Sequence, residues 1–261
     1  MRVAVLQLSA QGMSSTKLYN YIRIASKNDV KLILLGEYIL NPFFKELESM
    51  SLAMIHEQAL HQSKVLEELS TTYNMVIVAP LVKVKKDKIY KTIMKFTPSG
   101  IATYMQQILI NYSHWNEEKF FANKIESLKA PLTFKVDGLK FAVMSGFETH
   151  FDELWMELKN IDCVLVPSVS TFDSYERWKA LLLTRAFTHN CYVLRANRIG
   201  EYKEENINWQ FYGDSFLAGP YGELLEHLGN KEELMIAELS HSDVLEARKL
   251  WKFKEHAKKR E

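Results

Sequence analysis

The chain is short of the features that mark a specialised class. Cysteine occurs twice in 261 residues, at Cys163 and Cys191, too few for a disulfide framework and with no metal-ligand spacing nearby. Each lies in an apolar run, IDCVLVP and NCYVLRAN, which predicts two buried thiols on strands rather than a nucleophile in a glycine-bounded bend. Charge of neither sign prevails. Lys plus Arg number 33 against 32 Asp plus Glu, a net charge of +1, so there is no general attraction for nucleic acid or an anionic membrane. No apolar run approaches the roughly 18 residues of a membrane span. The opening MRVAVLQLSAQG turns polar too soon for a secretion signal, and a cytoplasmic protein is expected. No repeat, low-complexity tract or Pro/Gly/Ser-rich linker divides the chain. It therefore reads as a single domain over 1–261, with 240–261 a C-terminal helix and a basic, solvated tail. No cofactor or metal is expected.

What is present is alternation. Short β-rich or continuous apolar runs predict strands at Arg2–Leu8, Val30–Leu35, Met75–Pro80, Cys163–Pro167, Cys191–Ala196 and Leu234–Leu239. Hairpins are expected over Lys88–Leu109, Leu132–Met144 (turning at Asp137-Gly138) and Asp214–Leu228. Helical spacing of apolar residues appears at Leu18–Ala25, Ser51–Tyr73, Glu176–Thr188 and Val244–Lys252. Mixed connections of this kind argue for an α/β layered domain with mixed sheets rather than a purely parallel one.

The stretch VMSGFETHFDELW, Val143 to Trp155, stands out. An apolar run stops at Ser145-Gly146 and a polar, helix-spaced segment follows. That reads as a buried strand, a tight elbow and a short helix, an arrangement that presents backbone N–H groups at the end of a sheet.

This stretch resembles the nucleophile elbow of the nitrilase superfamily, the carbon–nitrogen hydrolases, whose pattern is roughly hydrophobic-Cys-Tyr-Asp-x-Arg-Phe-Pro-Glu-Leu. Phe151, Glu153 and Leu154 match its end, while Phe147, Glu148 and His150 take the Tyr, Asp and Arg places and Gly146 the Cys place. The likeness continues along the chain. RVAVLQL resembles the family's first strand, and LILLGEYIL places Glu37 on the catalytic glutamate, with Gly36 for the Pro before it. IATYMQQIL places Gln106 on the catalytic lysine, and NEEKFF places Glu118 on a second glutamate. VLVPSVSTF matches the substrate-side loop, with Ser168 in it. WKALLLTRAFTHNCYVLRANRIG and YGDSFLAGPYGELL complete the order. The resemblance implies a four-layer α-β-β-α sandwich, pairing into a homodimer or higher homo-oligomer. It implies action on non-peptide C–N bonds of amides, nitriles or N-carbamoyl compounds, with a small-molecule ligand and Phe147, His114 and Ser168 at the substrate side.

Such hydrolysis needs a nucleophile, a base and a positive or paired-donor oxyanion site. The family uses Cys, Glu and Lys; here only the Glu place is kept. Gly146 has nothing to attack with, and Gln106 offers a neutral donor, roughly half as strong as a charge-assisted one. Three readings stay open. The first is a pseudoenzyme binding a small amide-like or carboxylate ligand, in which Gly146→Cys with Gln106→Lys is the pair to restore chemistry. The second is a hydrolase working through water activated by Glu37 and Glu118, or through Ser145, although strand alternation turns Ser145 away. The third is a structural subunit of an assembly. Blander roles compete residue by residue: a cap or surface charge for Glu37, solvation for Glu118, packing for His114 and Trp115, a structural ion pair for Arg185, and a local pair for Glu148 and His150. If Glu37 and Glu118 share a dry pocket with no lysine between them, one carboxyl is expected to hold its proton well above the usual range.

Overall fold

The computed structural model describes the chain except at residues 125–126, 172–173, 205–206, 254–255 and 257–261. Phe172 of the substrate-side loop and the end of the basic tail therefore lie outside the described residues. In chain order the elements are β1 (Arg2–Gln7), α1 (Thr16–Lys27), β2 (Val30–Leu35), α2 (Phe44–Leu47), α3 (Leu52–Thr72), β3 (Val76–Lys85), β4 (Lys88–Thr97) and β5 (Gly100–Met105). There follow α4 (Glu117–Phe120), β6 (Leu132–Val136), β7 (Leu139–Val143), α5 (Asp152–Met156), β8 (Cys163–Pro167), α6 (Tyr175–His189) and β9 (Tyr192–Ala196). The last are β10 (Ile199–Glu204), β11 (Ile207–Tyr212), β12 (Phe216–Ala218), β13 (Leu224–His227), β14 (Glu233–Glu238) and α7 (His241–Trp251).

Two six-stranded sheets form, in the orders β14-β1-β2-β3-β4-β5 and β13-β12-β9-β8-β7-β6. Each has a parallel centre (β1, β2, β3 and β7, β8, β9) flanked by antiparallel strands. The continuous apolar runs are explained by burial on both faces. Val3, Val5, Leu32 and Leu34 meet Phe141, Val143, Leu165 and Leu194 between the sheets. The alternate residues Ala4, Leu6, Ile33 and Leu35 pack with Leu18, Ile22, Leu66 and Leu69 of α1 and α3. On the far side Met144, Val164 and Val193 pack with Leu154, Trp155, Leu182 and Ala186 of α5 and α6. The result is the four-layer α-β-β-α sandwich with mixed sheets that the sequence led us to expect. Cys163 and Cys191 are buried free thiols inside it.

Two elements differ from the sequence reading. The strand read as ending at Pro80 continues to Lys85 and turns through Lys86-Asp87, both at positive φ, into β4. Proline is tolerated there because β2 pairs with β3 only as far as Val78, so no ladder bond on that side is lost beyond it. The hairpin β10–β11 was not read at all. It supplies Tyr202, Trp209 and Phe211 to an aromatic cluster with Tyr38, Phe43, Phe44 and Trp115. That cluster walls the end of the sheets where the elbow lies.

Candidate functional site

Glu37 follows the end of β2, Lys91 stands on β4, and Glu117 opens α4. The three converge in the interior: Lys91 Nζ lies 2.6 Å from Glu37 Oε2 and 2.7 Å from Glu117 Oε1. Tyr38 donates its hydroxyl to Glu117 Oε1 at 2.7 Å, and the Lys91 ammonium sits 5.0 Å from the Tyr38 ring centre. Tyr38 itself has φ of 57°, a left-handed conformation costly for a bulky residue. Arg198 Nη1 holds its carbonyl at 2.8 Å. Burial pushes the Glu37 carboxyl up, the Lys91 ammonium pulls it back and Glu117 pushes it up again, leaving it at about 7. Burial would depress Lys91, but Glu117 and Glu37 outweigh it and hold the ammonium above its ordinary range.

The elbow sits beside this cluster. Gly146 N–H donates to Pro167 O (2.8 Å), Glu37 N–H to Ser168 O (3.0 Å) and Ser168 N–H to Ala196 O (2.8 Å). The first and third continue the β7–β8 and β8–β9 pairings, and the Glu37 to Ser168 bond joins one sheet to the other. Gly146 has φ −50° and ψ −50°, which any residue adopts, so the glycine is not there for conformational freedom. It is there for space: a Cβ at 146 would lie 2.7 Å from Ser168 Cβ and 3.3 Å from Trp178 Cη2. A Cβ at Gly36 would likewise lie 2.9 Å from the Asn197 carbonyl carbon. Glu148, fully buried, ties the elbow to the end of β5. It accepts from Ser145 N–H (2.8 Å), Gln107 N–H (2.6 Å) and Tyr104 OH (3.0 Å).

An open cavity of about 450 Å³ lies outside the elbow. Its walls carry the rings of Tyr112, Trp115, Phe147, His150 and Trp178, with Ser170, Thr171, Ser174 and Arg177 among the polar members. Glu37 and Lys91 do not line it. The void they do line measures about 10 Å³, room for about one water-sized sphere. Trp178, on the cavity wall, and Ser168 are the side chains packed against Gly146.

Phe147 and His114 are on the cavity wall. Glu37 and Gly146 are neighbours in the buried site. Glu118 is a correction: it is exposed and takes a hydrogen bond from Asn111 Nδ2 at 2.7 Å, while Glu117 faces Glu37. Gln106 is a second correction. Its amide donates to Ile108 O at 2.8 Å, and the ammonium beside Glu37 comes from Lys91 on the adjacent strand, where Gln106 N–H bonds Lys91 O. So a lysine does lie between two carboxylates. Ser168 is fully buried beneath Gly146 rather than on the cavity wall. The Ser145 hydroxyl is buried with no hydrogen bond to Glu37. Glu148 and His150 do not pair; His150 Nδ1 contacts Phe147 O at 3.0 Å and its ring lies 5.2 Å from that of Trp178. Arg185 pairs with Asp152.

The model of the family described as carbon-nitrogen hydrolase matches residues 2–249. Omega-amidase NIT3 of Saccharomyces cerevisiae is 25% identical over 264 residues, 94% of this chain and 89% of that protein. Deaminated glutathione amidase of Synechocystis sp. is 25% identical over 239 residues, covering 87% and 86%. 2-Oxoglutaramate amidase of Bacillus subtilis is 26% identical over 118 residues, 44% of each chain. Among solved structures, a carbon-nitrogen hydrolase from Helicobacter pylori G27 superposes with a TM-score of 0.86 at 20% identity, covering 98% of this chain and 94% of that one. A C145S mutant of the Nesterenkonia AN1 amidase gives 0.76 at 20% identity, covering 96% and 95%.

Proposed function

The chain belongs to the carbon–nitrogen hydrolase family, and from that premise we propose that it has given up the family's covalent hydrolysis and binds a small amide-like or carboxylate ligand in the open cavity. The observation that carries this reading is the filling of the nucleophile's place. The position that resembles the catalytic cysteine is Gly146, and the volume a side chain needs is occupied by Ser168 and Trp178. Loss of its nucleophile costs a serine protease about a millionfold in turnover, and charged neighbours do not replace it. Direct attack by water activated at Glu37 is disfavoured by space, since the void beside Glu37 and Lys91 cannot hold water and substrate together.

Purified protein is expected to release no ammonia above a Glu37→Gln control from a panel of amides, nitriles and N-carbamoyl compounds. The same panel, with the matching carboxylates, should contain ligands that raise the melting temperature. Ammonia release that Glu37→Gln abolishes overturns the reading.

A separate observation favours self-association as well. Leu245, Leu250 and Trp251 of α7 are exposed, and Trp251 packs with Phe187 and Phe253 into an apolar group at the surface. We propose that copies pair through this face; sedimentation showing only monomer at high protein concentration removes that proposal. Among the described residues no helix is long and apolar enough to cross a membrane.

A further inference from the structure

We propose a second binding site, away from the elbow: a groove across β3, β4 and β5 that takes a small molecule carrying linked phosphate groups. It does not rest on the ligand reading above and goes beyond it.

The sequence prepares it. The whole chain has a net charge of +1, yet Lys83, Lys85, Lys86 and Lys88 fall within six residues of the stretch VKVKKDKIYK, with Asp87 the one acid among them. Strand alternation then sorts the side chains. Lys83 and Lys85 are two apart on β3 and share a face. Lys83 stands opposite Tyr90, Thr92 stands opposite both Leu81 and Met105, and Thr103 is two residues before Met105. Lys83, Lys85, Tyr90, Thr92, Thr103 and Met105 therefore project from one face of the sheet. Lys91, between Tyr90 and Thr92, projects from the other and joins the ion cluster with Glu37 and Glu117.

The six outward residues, with Lys86 from the turn, wall a groove of about 500 Å³, within the range of small-molecule sites. No Asp or Glu is among them. Lys83, Lys85 and Lys86 are exposed, and with the described residues they form no ion pair. Three ammonium groups gathered without a carboxylate repel one another and set up a local positive field, which a multivalent anion relieves. A lysine ammonium is a compact charge with three donors and a common partner of phosphate. Three of them in one groove match two or three linked phosphates better than they match a single carboxylate. The Tyr90 ring and Met105 add an apolar wall beside the lysines, a surface for the ring of a nucleotide. The shared chemistry is the phosphate chain, whether free or carried on a nucleoside.

The test is calorimetric titration of the full chain at pH 7, without magnesium, with inorganic triphosphate, ATP, orthophosphate and duplex DNA. The tighter of triphosphate and ATP should bind at least about tenfold better than orthophosphate, which reaches fewer of the ammonium groups, and should weaken as salt is raised. ATP binding more tightly than triphosphate assigns the groove to a nucleotide; the reverse assigns it to the free chain. Lys83→Gln with Lys85→Gln, both at exposed positions, should weaken binding about tenfold. Lys27→Gln, exposed at the end of α1, should leave it unchanged. No heat of binding with millimolar triphosphate or ATP overturns the proposal, as does orthophosphate binding equally well. A loss as large in Lys27→Gln as in the double variant overturns it in favour of general surface charge. Duplex DNA binding more tightly than either small ligand, and losing affinity in the double variant, overturns it in favour of a nucleic-acid surface.

Discussion

Lys91→Met should destabilise the protein by about 3–5 kcal/mol, because removing one partner from a buried ion cluster strands the charges that remain. For a chain of this size that is a fall in melting temperature of roughly 6–20 °C. The substitution keeps the length and apolar stem of the side chain, so the loss reports on charge rather than on a cavity. Two carboxylates, Glu37 and Glu117, would then face each other with no ammonium between them, where now Lys91 lies 2.6 and 2.7 Å away. The triple variant Glu37→Gln, Lys91→Met, Glu117→Gln should recover most of the loss, since a polar or apolar replacement of a whole buried cluster is often close to neutral. The direction with pH follows from Glu37. Its native pKa is about 7 against an ordinary 4.5, so the native state holds the proton more tightly than the unfolded chain. The stability this gives is complete below pH 4.5 and is lost as pH rises through about 7. Without Lys91 the carboxyl is pushed up further, and the penalty of Lys91→Met should be larger at pH 8 than at pH 5. Urea titrations at both values decide it. A Lys91→Met protein within 1 kcal/mol of wild type at pH 8, an uncertainty comparable to the extrapolation itself, would show that the cluster carries no such energy.

Gly146→Cys should fail to produce a working thiol. The added Cβ would meet Ser168 Cβ at 2.7 Å and Trp178 Cη2 at 3.3 Å, and overpacking of a well-filled interior costs about 1–3 kcal/mol. Adding Gln106→Lys does not help, because the slot beside Glu37 already holds the Lys91 ammonium. Combining Gly146→Cys with Ser168→Gly should relieve most of the strain, since it deletes the atom that clashes most closely. Chemical denaturation gives the first comparison, and mass spectrometry after incubation with amides gives the second. A Gly146→Cys protein that is as stable as wild type and carries an acyl group on residue 146 would contradict the packing described here.

Much of this was legible in the amino-acid order. The continuous runs at Val30–Leu35 and Cys163–Pro167 coincide with β2 and β8, and Asp137-Gly138 takes the positive-φ pair of a tight hairpin. The resemblance to the family puts Glu37 and Gly146 at one site, and the Gly146 backbone does lie against the Glu37 carboxyl. What was not legible is what lies beside what. Lys91 reaches Glu37 only because β3 passes through Pro80 and returns as β4, and a proline in an apolar run had argued for an end. Glu117 and Glu118 differ by one position, yet successive helical residues point about 100° apart, and the register of a four-residue helix cannot be read from its composition. The β10–β11 hairpin did leave a signal, the alternation of Ile207, Trp209 and Phe211, which a period-two count finds.

The Glu37 N–H to Ser168 O bond joins main-chain groups of the two sheets, and a Cβ at Gly36 would lie 2.9 Å from the Asn197 backbone. Sites that bind and turn over substrates are usually drawn from the parts of a protein that open most readily. Here the corresponding place is a seam where the two halves of the sandwich are stitched together. Parting it breaks a main-chain bond and exposes the buried carboxylates, so opening there costs more than movement at the aromatic rim outside.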